Sequence, residues 1–293
     1  MLDISLFGPT RIHRGLQPIA VAGVKPRRLV QMLAANLGNP VAKDLLAEAL
    51  WDGRPPASYV ASVESYACLV RRALAAPSGS SPLVTASGAY LLDPDQVRVD
   101  LVEVRGELDV LRTARGEALV AGAEQVLERM TGGLLAEEPF GTWADQIRER
   151  HDNLTEAVLT QAAEAAVQIG SHARAVRLAL AALERRRLSE PACRALMQAH
   201  WRRGARAQAL AVYADLRALM LEELGVEPCD RTRELYLEIL DDAGRDQPAA
   251  LDRAELSTLV RLVRDTLASG VRPDPVTRSW LAELSFGAAG RSA

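Results

Sequence analysis

The residues best spaced to do chemistry lie between Pro56 and Leu74, in the run PASYVASVESYACLVRRAL. Val60, Val63, Ala67, Val70 and Leu74 recur at steps of three and four, which lines them along one stripe of an α-helix. That stripe is the expected core face. The other side then carries Ser58, Ala61, Ser62, Ser65, Cys68, Leu69 and Arg72, with Arg71 near its edge. Hydroxyls and guanidinium groups donate to phosphate oxygens and base edges, and small side chains let a helix approach a surface closely. At about 1.5 Å per residue the segment would span roughly 28 Å, enough to lie across a major groove. An ordinary surface helix with a small, polar outer face is the competing reading. Glu64 is expected to pair with Arg71 or Lys43 rather than to accept from a cytosine.

Other chemistry lacks a carrier. There is no G-x-x-x-x-G-K, no H-E-x-x-H and no glycine-rich strand-to-helix turn, so nucleotide hydrolysis and zinc chemistry are not expected, and the chain reads as a non-enzyme with no cofactor. His13, His151, His172 and His200 are scattered; His172 and His200 fall on neighbouring helices, where a packed or exposed pair is expected rather than a metal site. Cys68, Cys193 and Cys229 have neither metal-ligand spacing nor an even count, which suits a reducing cytoplasm. Carboxylates sit beside arginines, as in Glu184 with Arg185 to Arg187, and read as solvated helix faces.

The elements that must position the 56–74 helix follow from the same patterning. LDISLF (2–7) alternates with period two, and RIHR (11–14) and PIAVAG (18–23) read as further strands. PRRLVQMLAANL (26–37) and KDLLAEALW (43–51) read as amphipathic helices, with Pro26 in a first turn and Asp44 near a helix start. After the helix, PSGSSP ends helical periodicity, and LVT (83–85) and YLL (90–92) flank Gly88 as a β-hairpin. Strands, three helices and a two-stranded wing are the order of a winged helix-turn-helix domain, assigned to residues 1–100.

A second domain, 101–245, reads as helical repeats. GSHARA (170–175) and GARAQA (204–209) share a glycine and two alanines at a period of 34 residues, the tetratricopeptide spacing. Helices are expected over 146–169, 173–187, 190–203 and 206–223, preceded by a degenerate pair in 101–130 with Arg115-Gly116-Glu117 and Ala121 as a remnant of the signature. The fold class is therefore mainly α with a small β component. In 246–293, the amphipathic stretch 251–269 and a helix opened by Pro273 suggest a hairpin that caps the repeats or forms a dimer contact, with a disordered end.

At 293 residues and 48% hydrophobic content the chain can bury a sizeable core, and no apolar run is long enough to suggest a membrane span. Only 4% of residues are aromatic, which leaves few platforms for stacking single-stranded bases. The net charge is −3, divided unevenly: +2 over 1–100, −5 over 101–245 and 0 beyond. Because phosphate neutralisation supplies much of the affinity for DNA, so small a cationic excess implies weak binding by one copy and the need for several copies or a tethering partner.

The strings GVKPRRLVQML, DLLAEALWDGRPPAS, VESYACLVRRAL and LVTASGAYLLDPDQVRVDL, followed by EEPFGTWADQIRERHDNL and LEELGVEPCDRTRELYLEIL, resemble the Streptomyces antibiotic regulatory proteins. Those proteins join a winged helix of the OmpR type to a bacterial transcriptional activation domain. The resemblance covers roughly 1–240 and implies a cytoplasmic transcriptional activator. Such a protein would bind direct repeats in double-stranded promoter DNA near the −35 region, self-associate there, and contact RNA polymerase and its sigma factor to control a secondary-metabolite gene cluster. The DNA contacts expected are Arg71, Arg72, Ser58, Ser62 and Ser65 on the helix, Ser87 in the wing, and Lys25, Arg27, Arg28, Lys43 and Arg54 at the ends of the preceding helices. This chain departs from the family at Ala86, where relatives often carry Arg, and at Val60, Ala61 and Leu69, often polar or basic in relatives. A helical-repeat scaffold or ligand-sensing regulator with a degenerate winged helix is the alternative.

Overall fold

The computed structural model describes residues 1–245, so the helices expected in 246–293 lie outside the described residues. The chain divides into two units, Met1–Ile239 and Leu240–Ala293, and the account below concerns the first. Among the described residues no helix is long and apolar enough to cross a membrane.

The chain opens with β1 (Leu2–Ser5), in which Leu2 and Ile4 point into the core, antiparallel to β2 (Arg11–Arg14). β3 (Gln17–Pro18) pairs with β2 and is much shorter than the strand expected over 18–23. Pro18 has no N–H to give a ladder, and after one more bond, from Ile19 N to Ile12 O at 2.8 Å, the chain leaves the sheet. Val21 then enters the core and Gly23, at φ +90°, opens the first helix. α1 (Val24–Ala35) and α2 (Lys43–Leu50) follow, joined by the two-residue β4 (Val41–Ala42).

α3 (Tyr59–Ala73) begins three residues later than the periodicity suggests, after a turn in which Tyr59 N donates to Pro56 O at 3.0 Å. At 15 residues it spans about 22 Å rather than 28 Å. Val63, Ala67, Val70 and Leu74 are fully buried as the stripe requires, but Val60, in the overhanging first turn, is 41% exposed and belongs to the surface. β5 (Leu83–Ala86) and β6 (Ala89–Leu92) form the wing, with Ala86 opposite Ala89, so that Ser87-Gly88 is a two-residue loop and Gly88 takes φ +72°. β4 adds to β6 and makes the wing a three-stranded sheet.

β7 (Val97–Val99) returns to the first sheet, parallel to β1, giving the order β3-β2-β1-β7. Seven helices come next: α4 (Asp100–Leu111), α5 (Gly116–Arg129), α6 (Thr142–Gln168), α7 (His172–Arg185), α8 (Glu190–Arg202), α9 (Arg206–Leu224) and α10 (Asp230–Arg245). The 34-residue period is real in space: Gly170 and Gly204 take φ +78° and +75° in the turns after α6 and α8. Ala175 and Ala209, five residues beyond each glycine, are fully buried, which lets α7 and α9 pack closely. In the earlier pair Gly116 also takes positive φ, but Ala123 rather than Ala121 fills the buried place.

The winged part and the helical part share one continuous core that runs from Leu2 to Ala199. Phe7 bridges Leu134 as antiparallel β-structure, Leu135 N donates to Leu6 O at 2.8 Å and Gly8 N to Gly133 O at 2.9 Å. The Phe7 ring meets His151 of α6 with centroids 5.3 Å apart. His151 is fully buried, and burial, with Arg105 and Arg185 near it, lowers its pKa from 6.5 to about 4.

A base whose pKa is lower in the folded than in the unfolded chain contributes stability that is complete above the unfolded value and is lost as pH falls toward the folded one. The loss is about 1.4 kcal/mol per pH unit, so urea-unfolding stability should fall by about 2 kcal/mol between roughly pH 6.5 and pH 5 on account of His151. His151→Gln should flatten that slope; a variant with the parent's slope would show that His151 is not its source.

Candidate nucleic-acid interface

Four side-chain tethers fix α3. At its C-terminus Arg14 of β2 donates through Nη2 to Leu74 O at 2.6 Å and through Nη1 to Ala75 O at 2.7 Å, placing a cation on the carbonyls that a helix end leaves unpaired. Near its start, Lys43 Nζ of α2 donates to Glu64 Oε1 at 2.6 Å, which raises the Lys43 pKa and keeps it charged. The Tyr59 hydroxyl donates to Asp44 at 2.7 Å. Toward the wing, Arg71 Nη2 donates to Thr85 Oγ1 at 2.8 Å. The wing is held in turn by Lys43 N donating to Gly88 O at 3.0 Å. Arg14 was not legible as a positioning residue: its partners are main-chain carbonyls sixty residues away, which no local pattern reports.

What remains outward on α3 is Ser58, Val60, Ala61, Ser65, Cys68, Leu69 and Arg72, all exposed, with Ser62 partly so. Two of the hydroxyls are already engaged: Ser62 Oγ donates to Ser58 O at 3.2 Å and Ser65 Oγ to Ala61 O at 2.9 Å, the usual i to i−4 bond of a helical serine. Beside the C-terminal half of α3, Cys68, Arg71, Arg72, Ala75, Gly79, Ser81 and Leu83 line a shallow depression between the helix and the wing. Ser87 stands exposed at the wing tip.

The expected cations do not all gather on this face. Arg27 Nε and Nη2 donate to the Glu137 carboxylate at 2.9 and 2.8 Å, and Nη2 also to Thr10 O at 2.6 Å. Arg28 pairs with Glu138 at 2.8 Å and donates to Ala49 O at 3.1 Å; its side chain is 16% exposed and that of Glu138 only 7%. Both arginines therefore stitch α1 to the segment before α6 instead of standing free for phosphate. Lys25 lies over the Trp51 ring, 3.9 Å from its centroid, and Lys43 is held by Glu64. Arg54 and Arg72 are exposed and, among the described residues, their side chains carry no hydrogen bond or ion pair. Lys25, Lys43, Arg54, Arg71 and Arg72 lie around α3 and the wing, whereas Arg27 and Arg28 belong to the seam with the helical part.

Residues 97–240 match the family model of the bacterial transcriptional activator domain. The regulatory protein DnrI of Streptomyces peucetius is 30% identical over 266 residues, covering 85% of this chain and 98% of that protein. The regulatory protein AfsR of Streptomyces griseus is 32% identical over 244 residues, which is 82% of this chain; the chain spans only about a quarter of that relative's length, 24%. Among solved structures, Mycobacterium tuberculosis EmbR, in complex with a low affinity phosphopeptide, superposes with a TM-score of 0.70 at 24% identity, covering 90% of this chain and 70% of that one. That likeness shows the same succession of winged domain and helical domain. With an activator-domain match in its helical part and a relative matched along nearly its whole length, the chain belongs to the Streptomyces antibiotic regulatory protein family of transcriptional activators.

Proposed function

We propose that this protein is a sequence-specific binder of double-stranded promoter DNA that activates transcription by recruiting RNA polymerase. The observation that carries the reading is α3: a helix clamped at both ends and to the wing, presenting a small-residue face with Arg72 free on it. Supported by family membership, the finer reading has α3 in the major groove and Ser87 of the wing against the backbone, with Arg54, Lys25 and Lys43 on flanking phosphates. Copies bind direct repeats near the −35 region, and the helical domain mediates self-association and contact with polymerase and its sigma factor, in the cytoplasm, at a secondary-metabolite gene cluster. Few free cations fit a protein whose affinity comes from paired copies rather than from one.

Gel shifts of the full chain on DNA flanking its own gene, with and without polymerase, test this. A sequence-dependent, salt-sensitive shift is expected, and its absence under both conditions overturns the proposal.

Two arginines should separate binding from stability. Arg72→Ala should leave thermal unfolding unchanged and weaken specific binding by about 1 to 3 kcal/mol if it reads a base, or lower the salt slope by about one if it holds a phosphate. Unchanged binding would remove Arg72 from the interface. Arg28→Ala should instead destabilise the fold by about 2 kcal/mol in urea unfolding, because it strands the buried Glu138 carboxylate; a fully stable variant would show that the pair does not hold the seam.

A further inference from the structure

We infer that Leu69 reads the C5-methyl group of a thymine in the major groove, so that operator choice depends on an apolar contact beside the hydrogen bonds of Arg72. The inference rests on the DNA-binding reading above and deepens it.

Ala61, Ser65 and Leu69 follow one another at steps of four and form a single ridge along the outer face of α3. Leu69 is 47% exposed at the end of that ridge, on the side turned away from the buried stripe of Val63, Ala67, Val70 and Leu74. Its side chain belongs to no core cluster among the described residues, so packing does not account for it. The face around it is short of donors. Ser62 and Ser65 give their protons to the helix's own carbonyls, and Arg71 is turned to Thr85. Arg72 is left as the one uncommitted charged donor among the described residues of this helix.

A face with one strong donor and a projecting isobutyl group cannot discriminate bases by hydrogen bonding alone. The major groove offers one apolar feature, the thymine methyl, and burying it against Leu69 supplies discrimination that the serines do not. The spacing suits this division of labour. Leu69 and Arg72 are three residues apart, about 4.5 Å along the helix axis. That is close to the roughly 3.4 Å between successive base pairs. A thymine under Leu69 would therefore neighbour the base or phosphate that Arg72 reaches.

The test uses the full chain and the duplex it recovers by repeated selection from a randomised pool. Each thymine in that duplex is replaced in turn by deoxyuridine, which pairs identically and lacks only the methyl. At one position per recognition unit the replacement should weaken binding by about fourfold, the value of one buried methyl. Leu69→Ala, whose thermal unfolding should match the parent because the side chain is half exposed, should bind the thymine duplex more weakly and show no further loss at that position. A salt-sensitive, specific shift without any methyl effect overturns the inference and leaves DNA binding standing. A methyl penalty that persists in Leu69→Ala does the same, moving the contact to another residue. Failure to recover any duplex overturns DNA binding itself and the inference with it.

Discussion

The fold hinges on the carboxylate of Asp100. It accepts the N–H of Leu6 at 2.8 and 3.0 Å, that of Phe7 at 3.3 Å and its own helix's Leu101 N–H at 2.7 Å. One side chain thereby ends β1, starts α4 and ties the two together across more than ninety residues. The site suits an anion because the first turn of a helix leaves N–H groups unpaired and carries the positive end of its dipole. Burial nonetheless pushes the Asp100 pKa up, since withdrawal from water outweighs the three N–H donors. The carboxylate is kept because without it the donors at the end of β1 would be stranded inside the molecule, which costs more than the bonds themselves contribute.

From that point the rest of the seam is determined. With the end of β1 fixed, Leu6 and Gly8 form backbone bonds to the 133–135 segment, and Phe7 meets His151. The segment that carries Leu134 and Leu135 continues to Glu137 and Glu138, which take Arg27 and Arg28 from α1. Arg14, on the strand beside β1, reaches the far end of α3. The α3 helix is therefore referenced, through two sheet strands, to the helical domain. A linker between the winged and helical parts would leave their orientation loose; here apolar core, backbone bonds and a buried ion pair all cross the boundary.

Elements with strong periodicity were legible in the sequence. The buried stripe of α3, the wing around Gly88 and the 34-residue spacing of Gly170 and Gly204 each repeat a local rule often enough to be read without neighbours. Among the elements that escaped, β4 and β7 are two and three residues long and their existence is decided by a partner strand distant in sequence; α10, after the second repeat pair, escaped as well. The candidate site was legible only as a face. Which residues stand outward on α3 follows from the helical period, and Val60 alone differs, because it lies in the first turn, where the stripe is left uncovered. Which cations are free does not follow from any period. Arg27, Arg28, Arg71 and Arg72 look alike in sequence, and their roles are set by Glu137, Glu138 and Thr85.

That sorting of arginines bears on the charge of the whole N-terminal part. Its excess of +2 is small before folding, and folding ties most of its cations to carboxylates, carbonyls or a ring: Arg14, Arg27, Arg28, Lys25, Lys43 and Arg98 are all engaged. On the proposed function the consequence is a division between holding and reading. A protein that neutralises few phosphates gains little non-specific affinity, so it is less retained by bulk DNA. Its specific complex must then be assembled from several weak contacts, each copy adding effective concentration for the next. A rigid seam makes such assembly productive, because copies placed in register on repeated sites hold their helical domains in register too. The spending of arginines inside the molecule is thus consistent with DNA recognition: it trades the affinity of one copy for a fixed geometry that several copies share.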